Sequence, residues 1–333
     1  MTGNAADTVS AGSASQAEVL CPACGNPTFT VLLSGTDRLY RTTTQPFQVV
    51  ECTLCRLIRL LPRPSPAELT QYYPKDYWYA PEEALAGRLE ERYRRFVLRD
   101  HVNFVVRAIK EAGETEGVVL DVGCGGGLFL RLLAEQGFRV AGLDFSLDAA
   151  IIARRKNAVP AVCGTLSQAP FPAGSCQVIT MFHVLEHLYD PVSYLQSAHT
   201  LLRRQGRLVV QVPNASCWEF LLLGESWSGL DIPRHLLTFR PTDLEILLDR
   251  CGFHVVRKKF FSLRDNPTGL ATSIAPWLDP MARRVRRVNE SSRMKLFKDL
   301  MYFCLVMAAI PWTLLEATCG AGSTIMVEAR KKA

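Results

Sequence analysis

The stretch FHVLEHLYDP, Phe182 to Pro191, sets two histidines and a carboxylate at the spacing H-x-x-E-H. On a helix, His183, Glu186 and His187 would share one face, and two imidazoles could grip a zinc ion beside a general base. Four cysteines offer a second ligand set. Cys21-Pro-Ala-Cys24 and Cys52-Thr-Leu-Cys55 are C-x-x-C knuckles separated by 27 residues. Each places two thiolates on one turn, and two such turns complete a tetrahedral four-sulfur site. With cysteine in all four seats no position stays open for catalysis, and a segment this short would draw its folding energy from the metal. A third group lies in VVLDVGCGGG, where Gly123, Gly125 and Gly127 end an apolar run. Such a turn lets backbone approach a ligand and exposes amides at a helix start. The dinucleotide fingerprint needs its third glycine one place later, where Leu128 stands. Asp144, seventeen residues after Gly127, ends the next strand-like run. A carboxylate there can accept both hydroxyls of a ribose.

These groups need a frame. GRLEERYRRFVLRDHVNFVVRAIKEAG reads as a long amphipathic helix, VVLDVGCGGG as a buried strand entering the glycine turn, and LFLRLLAEQG as the next helix. FRVAGLDFS is a second strand, LDAAIIARRKN a helix and AVPAVCGT a third strand; CQVITMF, GRLVVQVPN and FHVVRKKFF read as later strands. Strands alternating with helices predict an α/β fold with a parallel sheet wrapped on both faces. In this frame the H-x-x-E-H stretch starts directly after a strand. A metalloprotease would hold it inside a helix and would need a further acidic ligand downstream.

The segments LDVGCGGGLFL, VAGLDFS, PFPAGSCQVITMFHVLEHLYDP and LLRRQGRLVVQVPN, taken in order over roughly Val118 to Asn214, resemble the class I S-adenosylmethionine-dependent methyltransferases. The resemblance implies a Rossmann-like seven-stranded sheet with S-adenosylmethionine as methyl donor. It places Asp121 and the glycine turn (Gly123, Cys124, Gly125, Gly127) at the methionine end of the donor. Asp144, with Phe145 and Ser146, falls at the ribose, Thr165 and Leu166 at the adenine, and Phe182 and His183 at the closing edge of the pocket. This chain has Cys176-Gln177 where relatives usually carry Phe-Asp, which bears on the adenine contact. CPACG, VVECTLCRLIRLLPRPSPAEL, YYPKDYW, SWSGLDIPRHLLTF and PTDLEILLDRCGF resemble a bacterial branch with a zinc-binding front domain, which includes sugar C-methyltransferases. That branch implies structural Zn2+ on Cys21, Cys24, Cys52 and Cys55. Ubiquinone-pathway O-methyltransferases carry E-x-x-E-H at the same place. Here His183 replaces the first glutamate while Glu186, His187 and His235 remain, so metal-assisted transfer is an alternative that the loss of an oxygen ligand disfavours for magnesium.

For methyl transfer itself, His183 and His235 are the candidate general bases, because imidazole titrates in the right range, with Glu186 and Asp231 behind them. The expected organisation is a disordered tail over 1–20, a zinc ribbon over 21–62, an aromatic and Pro-rich linker over 63–89, a donor-binding domain over 90–262 and 321–333, and a helical insertion over 263–320. The aromatic QYYPKDYWYAP is expected to pack between domains or line a site.

The 333 residues carry a formal net charge of +6. From Arg283 to Lys298 seven cations (Arg283, Arg284, Arg286, Arg287, Arg293, Lys295, Lys298) face one anion, Glu290, which is the whole excess. The rest is balanced, so a broad nucleic-acid face is not indicated, and a ribosomal-RNA methyltransferase is the disfavoured rival. A donor-binding zinc module without catalysis is the rival outside the enzymes. The start lacks a basic and apolar leader, and eleven cysteines without one fit a reducing, cytoplasmic setting. Beside the basic cluster, Leu300 to Leu315 is uncharged over sixteen residues and contains Pro311, expected to interrupt any helix. A lid, a membrane-surface hairpin over 283–315 and a span are the alternatives. The acceptor is expected to be a small molecule, a glycan or a lipid-linked precursor.

Overall fold

The computed structural model of the chain describes residues 19–73, 85–113 and 117–332. Most of the tail expected over 1–20, and residues 74–84 of the linker expected over 63–89, lie outside the described residues. The front is an antiparallel meander of β1 (Phe29–Gly35), β2 (Phe47–Cys52) and β3 (Ile58–Leu61). A short helix α1 (Pro66–Gln71) follows, started by a reciprocal capping box between Ser65 and Glu68. Both cysteine knuckles sit at one end of this meander, with Cys52 closing β2.

The main body runs α2 (Leu85–Glu111), β4 (Val118–Val122), α3 (Leu128–Ala134), β5 (Arg139–Asp144), α4 (Leu147–Asn157), β6 (Ala161–Cys163), β7 (Cys176–Phe182), α5 (Pro191–Leu201), β8 (Leu202–Pro213), α6 (Trp218–Leu223), β9 (Leu237–Thr238), α7 (Pro241–Arg250) and β10 (Phe253–Lys259). The chain ends with α8 (Asn266–Ile274), α9 (Pro280–Val285), α10 (Ser292–Thr318) and β11 (Thr324–Lys331). Seven strands form one sheet in the order β10-β11-β8-β7-β4-β5-β6. All neighbours from β8 to β6 are parallel, while β11 is antiparallel to both β8 and β10. The last two strands, formed by FHVVRKKFF and GSTIMVEARKK, therefore pair as an antiparallel hairpin. CQVITMF is buried almost throughout because helices cover both faces of a parallel sheet.

Three features depart from simple pattern reading. β8 begins at Leu202, ahead of GRLVVQVPN, and its register against β7 jumps from Cys176–Leu202 to Val178–Arg207. The polar run Arg203-Arg204-Gln205 is bulged outward, since those side chains cannot enter the core. β9 pairs with β3, so a strand from the loop after β8 completes the front sheet. Pro311 does not interrupt α10, which is continuous over 27 residues. Its missing N–H falls on the exposed side, where water can satisfy the carbonyl one turn back.

Candidate active site

The strand order reverses at β4, whose neighbours are β5 on one side and β7 on the other. A crevice opens at such a point beyond the carboxyl ends of the strands. The glycine turn lies there. Gly123, Gly125 and Gly127 have φ of 74°, 51° and 77°, all in the left-handed region. A Cβ on Gly123 would stand 2.7 Å from Val184 Cγ2, whereas one on Gly125 would meet nothing within 4 Å. The turn is thus packed behind and open in front.

Asp144 ends β5 beside that opening. One carboxylate oxygen accepts from the Gly125 N–H at 2.8 Å and the other from the Ser146 N–H at 2.9 Å. Each oxygen keeps a lone pair for a ligand hydroxyl. Ser146 also caps α4, and Phe145 stands 67% exposed beside them. Asp121 lies deeper. The parallel register sets Thr180 opposite it, and the Thr180 hydroxyl donates to its carboxylate at 2.6 Å. Burial outweighs that hydrogen bond and pushes the Asp121 carboxyl up to about 7. Burial also raises the neighbouring Cys124 thiol, so Cys124 serves the turn through its backbone and is no nucleophile. Thr165 and Leu166 follow β6; Leu166 is buried and its N–H reaches the Tyr194 hydroxyl at 3.4 Å. Phe182 stacks edge to face between His101 and Phe129, at 5.0 and 5.1 Å between ring centres.

The H-x-x-E-H stretch is a short 3₁₀ turn over Leu185–His187, separated from α5 by Leu188–Asp190. His183 has φ 57°, a left-handed conformation rare for histidine that turns its side chain away from His187. Its Nδ1 lies 3.0 Å from Glu186 Oε1, and its Nε2 lies 2.9 Å from the Gln211 amide and 3.7 Å from Asp265. Gln211 in turn donates to Asp265 at 2.7 Å. Burial lowers the basicity of His183, but the carboxylates of Asp265 and Glu186 more than offset it and raise the imidazole to about 10. His101 stands 3.7 Å from the same Asp265 on the buried side, held neutral by burial.

A second cluster gathers behind Glu186. Donor atoms of Glu186, His187 and His235 all lie within 4.8 Å of one another. His187 Nδ1 lies 2.9 Å from the Arg234 carbonyl and 3.0 Å from the Tyr73 hydroxyl; His235 Nδ1 lies 2.8 Å from the Gly229 carbonyl. A carbonyl accepts only, so both Nδ1 atoms carry a proton, which leaves Nε2 as the ligating atom of each ring. Burial and the facing His235 hold His187 down to about 4, hence neutral. Glu186 Oε2 is buried without a hydrogen-bond partner. Two imidazoles and an orphaned carboxylate oxygen form a donor set that fits a divalent ion.

Asp231 serves a different purpose. Arg234, fully buried, grips Asp231 through Nε and Nη2 at 3.0 and 2.8 Å, and Asp37 through both Nη atoms at 2.8 and 3.1 Å. Its guanidinium lies 4.4 Å above the Tyr40 ring. Asp37 belongs to the loop after β1, so this ion cluster fastens the front sheet to the segment bearing His235. Arg234, Asp37, Gln211, Asp265 and His101 are the residues that sequence reasoning missed. Only His101 left a trace, a histidine within the apolar stripe of α2 between Leu98, Val102 and Val105.

In the front sheet, Cys21 Sγ is 3.5 Å from Cys55 Sγ and Cys24 Sγ is 3.6 Å from Cys52 Sγ. Zn–S bonds of ~2.3 Å in a tetrahedron put sulfurs ~3.8 Å apart, so the four thiols fit a zinc ion. Arg59 is buried nearby, with Nε and Nη1 lacking partners. Burial lowers its pKa, and the four cysteines oppose that fall. A four-thiolate metal site carries negative charge, which such a guanidinium would balance.

A profile described as a methyltransferase domain matches residues 89–258, just over half of the chain. The chain belongs to that methyltransferase-domain family. A ubiquinone biosynthesis O-methyltransferase of Pseudomonas paraeruginosa is 30% identical over 202 residues, covering 56% of this chain and 85% of that protein. A probable S-adenosylmethionine-dependent methyltransferase of Mycolicibacterium smegmatis is 31% identical over 180 residues, covering 52% of this chain and 64% of its own length. This chain thus spans a little under two thirds of that relative. Among solved structures, a SAM-dependent methyltransferase from Archaeoglobus fulgidus aligns over 74% of this chain and all of its own, with 19% identity and a TM-score of 0.47. The matched span of 89–258 takes in the glycine turn, Asp144, His183 and His235, and leaves out β1 to β3 of the front sheet and α8 to β11.

Proposed function

We propose that the protein transfers a methyl group from S-adenosylmethionine to a small-molecule acceptor, a class that takes in sugars and lipid-linked molecules, with His235 as general base. The supporting observation is the open face of Gly125 beside Asp144, whose two oxygens each retain a free lone pair at the strand-order reversal. Bound there, S-adenosylmethionine supplies an electrophilic methyl group. Asp144 accepts the ribose hydroxyls, Asp121 faces the cationic methionine end, and Leu166 with Thr165 flanks the adenine. On the acceptor side, His235 has its Nδ1 held by the Gly229 carbonyl and takes the acceptor proton at Nε2 as the methyl group arrives. His183 is a positioning residue: it holds Glu186 on one side and the Gln211–Asp265 pair on the other. Structural zinc on Cys21, Cys24, Cys52 and Cys55 completes this reading, and Arg59 balances its charge.

One observation favours a second reading of the acceptor side. The orphaned Glu186 Oε2 and the two carbonyl-locked histidines match a metal site in which Glu186, His187 and His235 would hold a divalent ion. Such an ion would polarise an acceptor oxygen, and this donor set suits zinc, manganese or iron better than magnesium.

Calorimetry with S-adenosylmethionine and a product-release assay over sugars, quinols and lipid extracts test the two readings together. Asp144→Ala should abolish donor binding. His235→Gln should lower turnover roughly 100-fold or more with donor affinity unchanged. If metal-depleted protein keeps full turnover, the base reading stands and the metal reading falls. If turnover returns only with added manganese or zinc, His235 is a ligand instead. A chain that binds no donor refutes both.

A further inference from the structure

We propose that the outer face of α10 docks in the plane of an anionic lipid bilayer. Among the described residues α10 is the one helix long and apolar enough to cross a membrane, yet its setting is that of a surface helix. Val306, Ala309, Thr313 and Glu316 recur at spacings of three and four and are buried, so one stripe is spent on the protein, against α8. A surface helix would be polar on its remaining faces. Here Leu296, Leu300, Phe303 and Met307 form an exposed stripe, 50–70% accessible, and Phe297 and Leu315 lie on the next one, at 58% and 52%. Among the described residues nothing covers them.

The apolar surface continues past the helix. Trp312 closes a groove of about 320 Å³ with Leu222 of α6 and Ile274 of α8, and Leu221 beside it is 74% exposed. Charge selects what covers this face. The first turn of α10 carries exposed Arg293 and Lys295. The helix has two acids: Asp299 is paired with Arg283, and Glu316 is buried. An apolar face bordered by cations, with the acids near it either paired or buried as Glu219 and Glu316 are, complements anionic headgroups over a hydrocarbon layer. A second copy of the chain would present the same cations, not their complement. A span would strip from α8 the stripe that α10 spends on it and carry Glu316 into hydrocarbon.

Docking here would carry the acceptor site to the membrane. α8 starts beside Asp265, which touches the His183 cluster, and ends at Ile274 in the apolar groove, nine residues or ~13 Å along. That consequence rests on the acceptor-side reading above; the docking itself does not.

Sedimentation of the full chain with vesicles tests it. Vesicles of phosphatidylcholine with about 30 mol% phosphatidylglycerol should pellet the protein at roughly 0.15 M salt, and pure phosphatidylcholine should do so far less. The pair Leu300→Ser and Phe303→Ser, and separately Arg293→Glu with Lys295→Glu, should each lower the bound fraction at least roughly tenfold. Donor binding and thermal melting should stay as in the parent, which separates lost docking from lost fold and from failure of the methyl-transfer reading. The proposal is overturned if anionic vesicles leave the protein in solution, or if both variants pellet as the parent does. It is equally overturned if lipid-free protein dimerises and the serine pair abolishes the dimer, since a second copy then covers the face.

Discussion

Asp121 should make donor affinity depend on pH below neutrality. Its carboxyl is buried and pushed up from an ordinary 3.8 to about 7, so the empty site holds it mostly protonated in mild acid. A sulfonium and an ammonium arriving at the methionine end favour the ionised form. Binding must then expel the proton, at a cost that grows as pH falls. The sign follows: affinity is highest above about 7 and is lost as pH drops through it. For one site the weakening between pH 7 and pH 5 is (1 + 100)/(1 + 1), roughly 50-fold or ~2.3 kcal/mol, at 1.36 kcal/mol per unit. Titration calorimetry from pH 5 to 7 reads this directly, below the range where the donor's own amine ionises. Repeating it at pH 6 in two buffers of different ionisation heat should show close to one proton released per donor bound. Asp121→Asn should bind weakly at every pH with a flat profile. A wild-type Kd constant from pH 5 to 7, or one that tightens in acid, would refute the placement of Asp121 against the cationic end.

Two further outcomes follow from buried charge. Glu219 in α6 is raised to about 8 by burial first and by Glu316 second, so the fold binds a proton that the unfolded chain gives up near 4.5. Stability should fall as pH rises from about 4.5 to 8, and Glu219→Gln should recover about 2–4 kcal/mol at pH 7.5; equal melting-temperature slopes for both proteins would sink this. Removing zinc with a strong chelator should melt the front sheet and, through Asp37, release Arg234 and the His235 segment. Asp37→Asn should mimic part of that effect, losing about 3–5 kcal/mol and turnover while zinc stays bound; unchanged turnover in either case would uncouple the front sheet from the site.

Local patterns carried the strands, the glycine turn and the knuckles because each is written in neighbouring residues. VVLDV and CQVITMF announce buried strands, and the C-x-x-C pairs announce a sulfur site whatever lies between them. What governs the clusters around His183 and His235 is not local. Gln211 and Asp265 reach His183 from 28 and 82 positions downstream, and Asp37 reaches Arg234 across 197. No periodicity encodes such partners, because each is set by sheet register and by where an insertion folds back. Pro311 shows the reverse error: a local rule predicted a break, and packing of Val306, Ala309 and Thr313 against the body kept the helix whole.

The same contrast explains the H-x-x-E-H stretch. On an α-helix His183 and His187 would share a face and the pair would invite a metal between them. The positive φ at His183 and the 3₁₀ turn after it send the two rings to opposite sides of Glu186. His183 is drawn to Asp265, while His187 faces His235, which no spacing rule would pair with it. Arg234 makes that substitution stable. Its carbonyl fixes the His187 tautomer, and its guanidinium is fixed in turn by Asp37 and Asp231. The Leu236 N–H donates to the Glu186 carbonyl, tying the two segments together at their backbones. A front sheet built on four cysteines thus reaches the cluster of Glu186, His187 and His235 through one buried arginine.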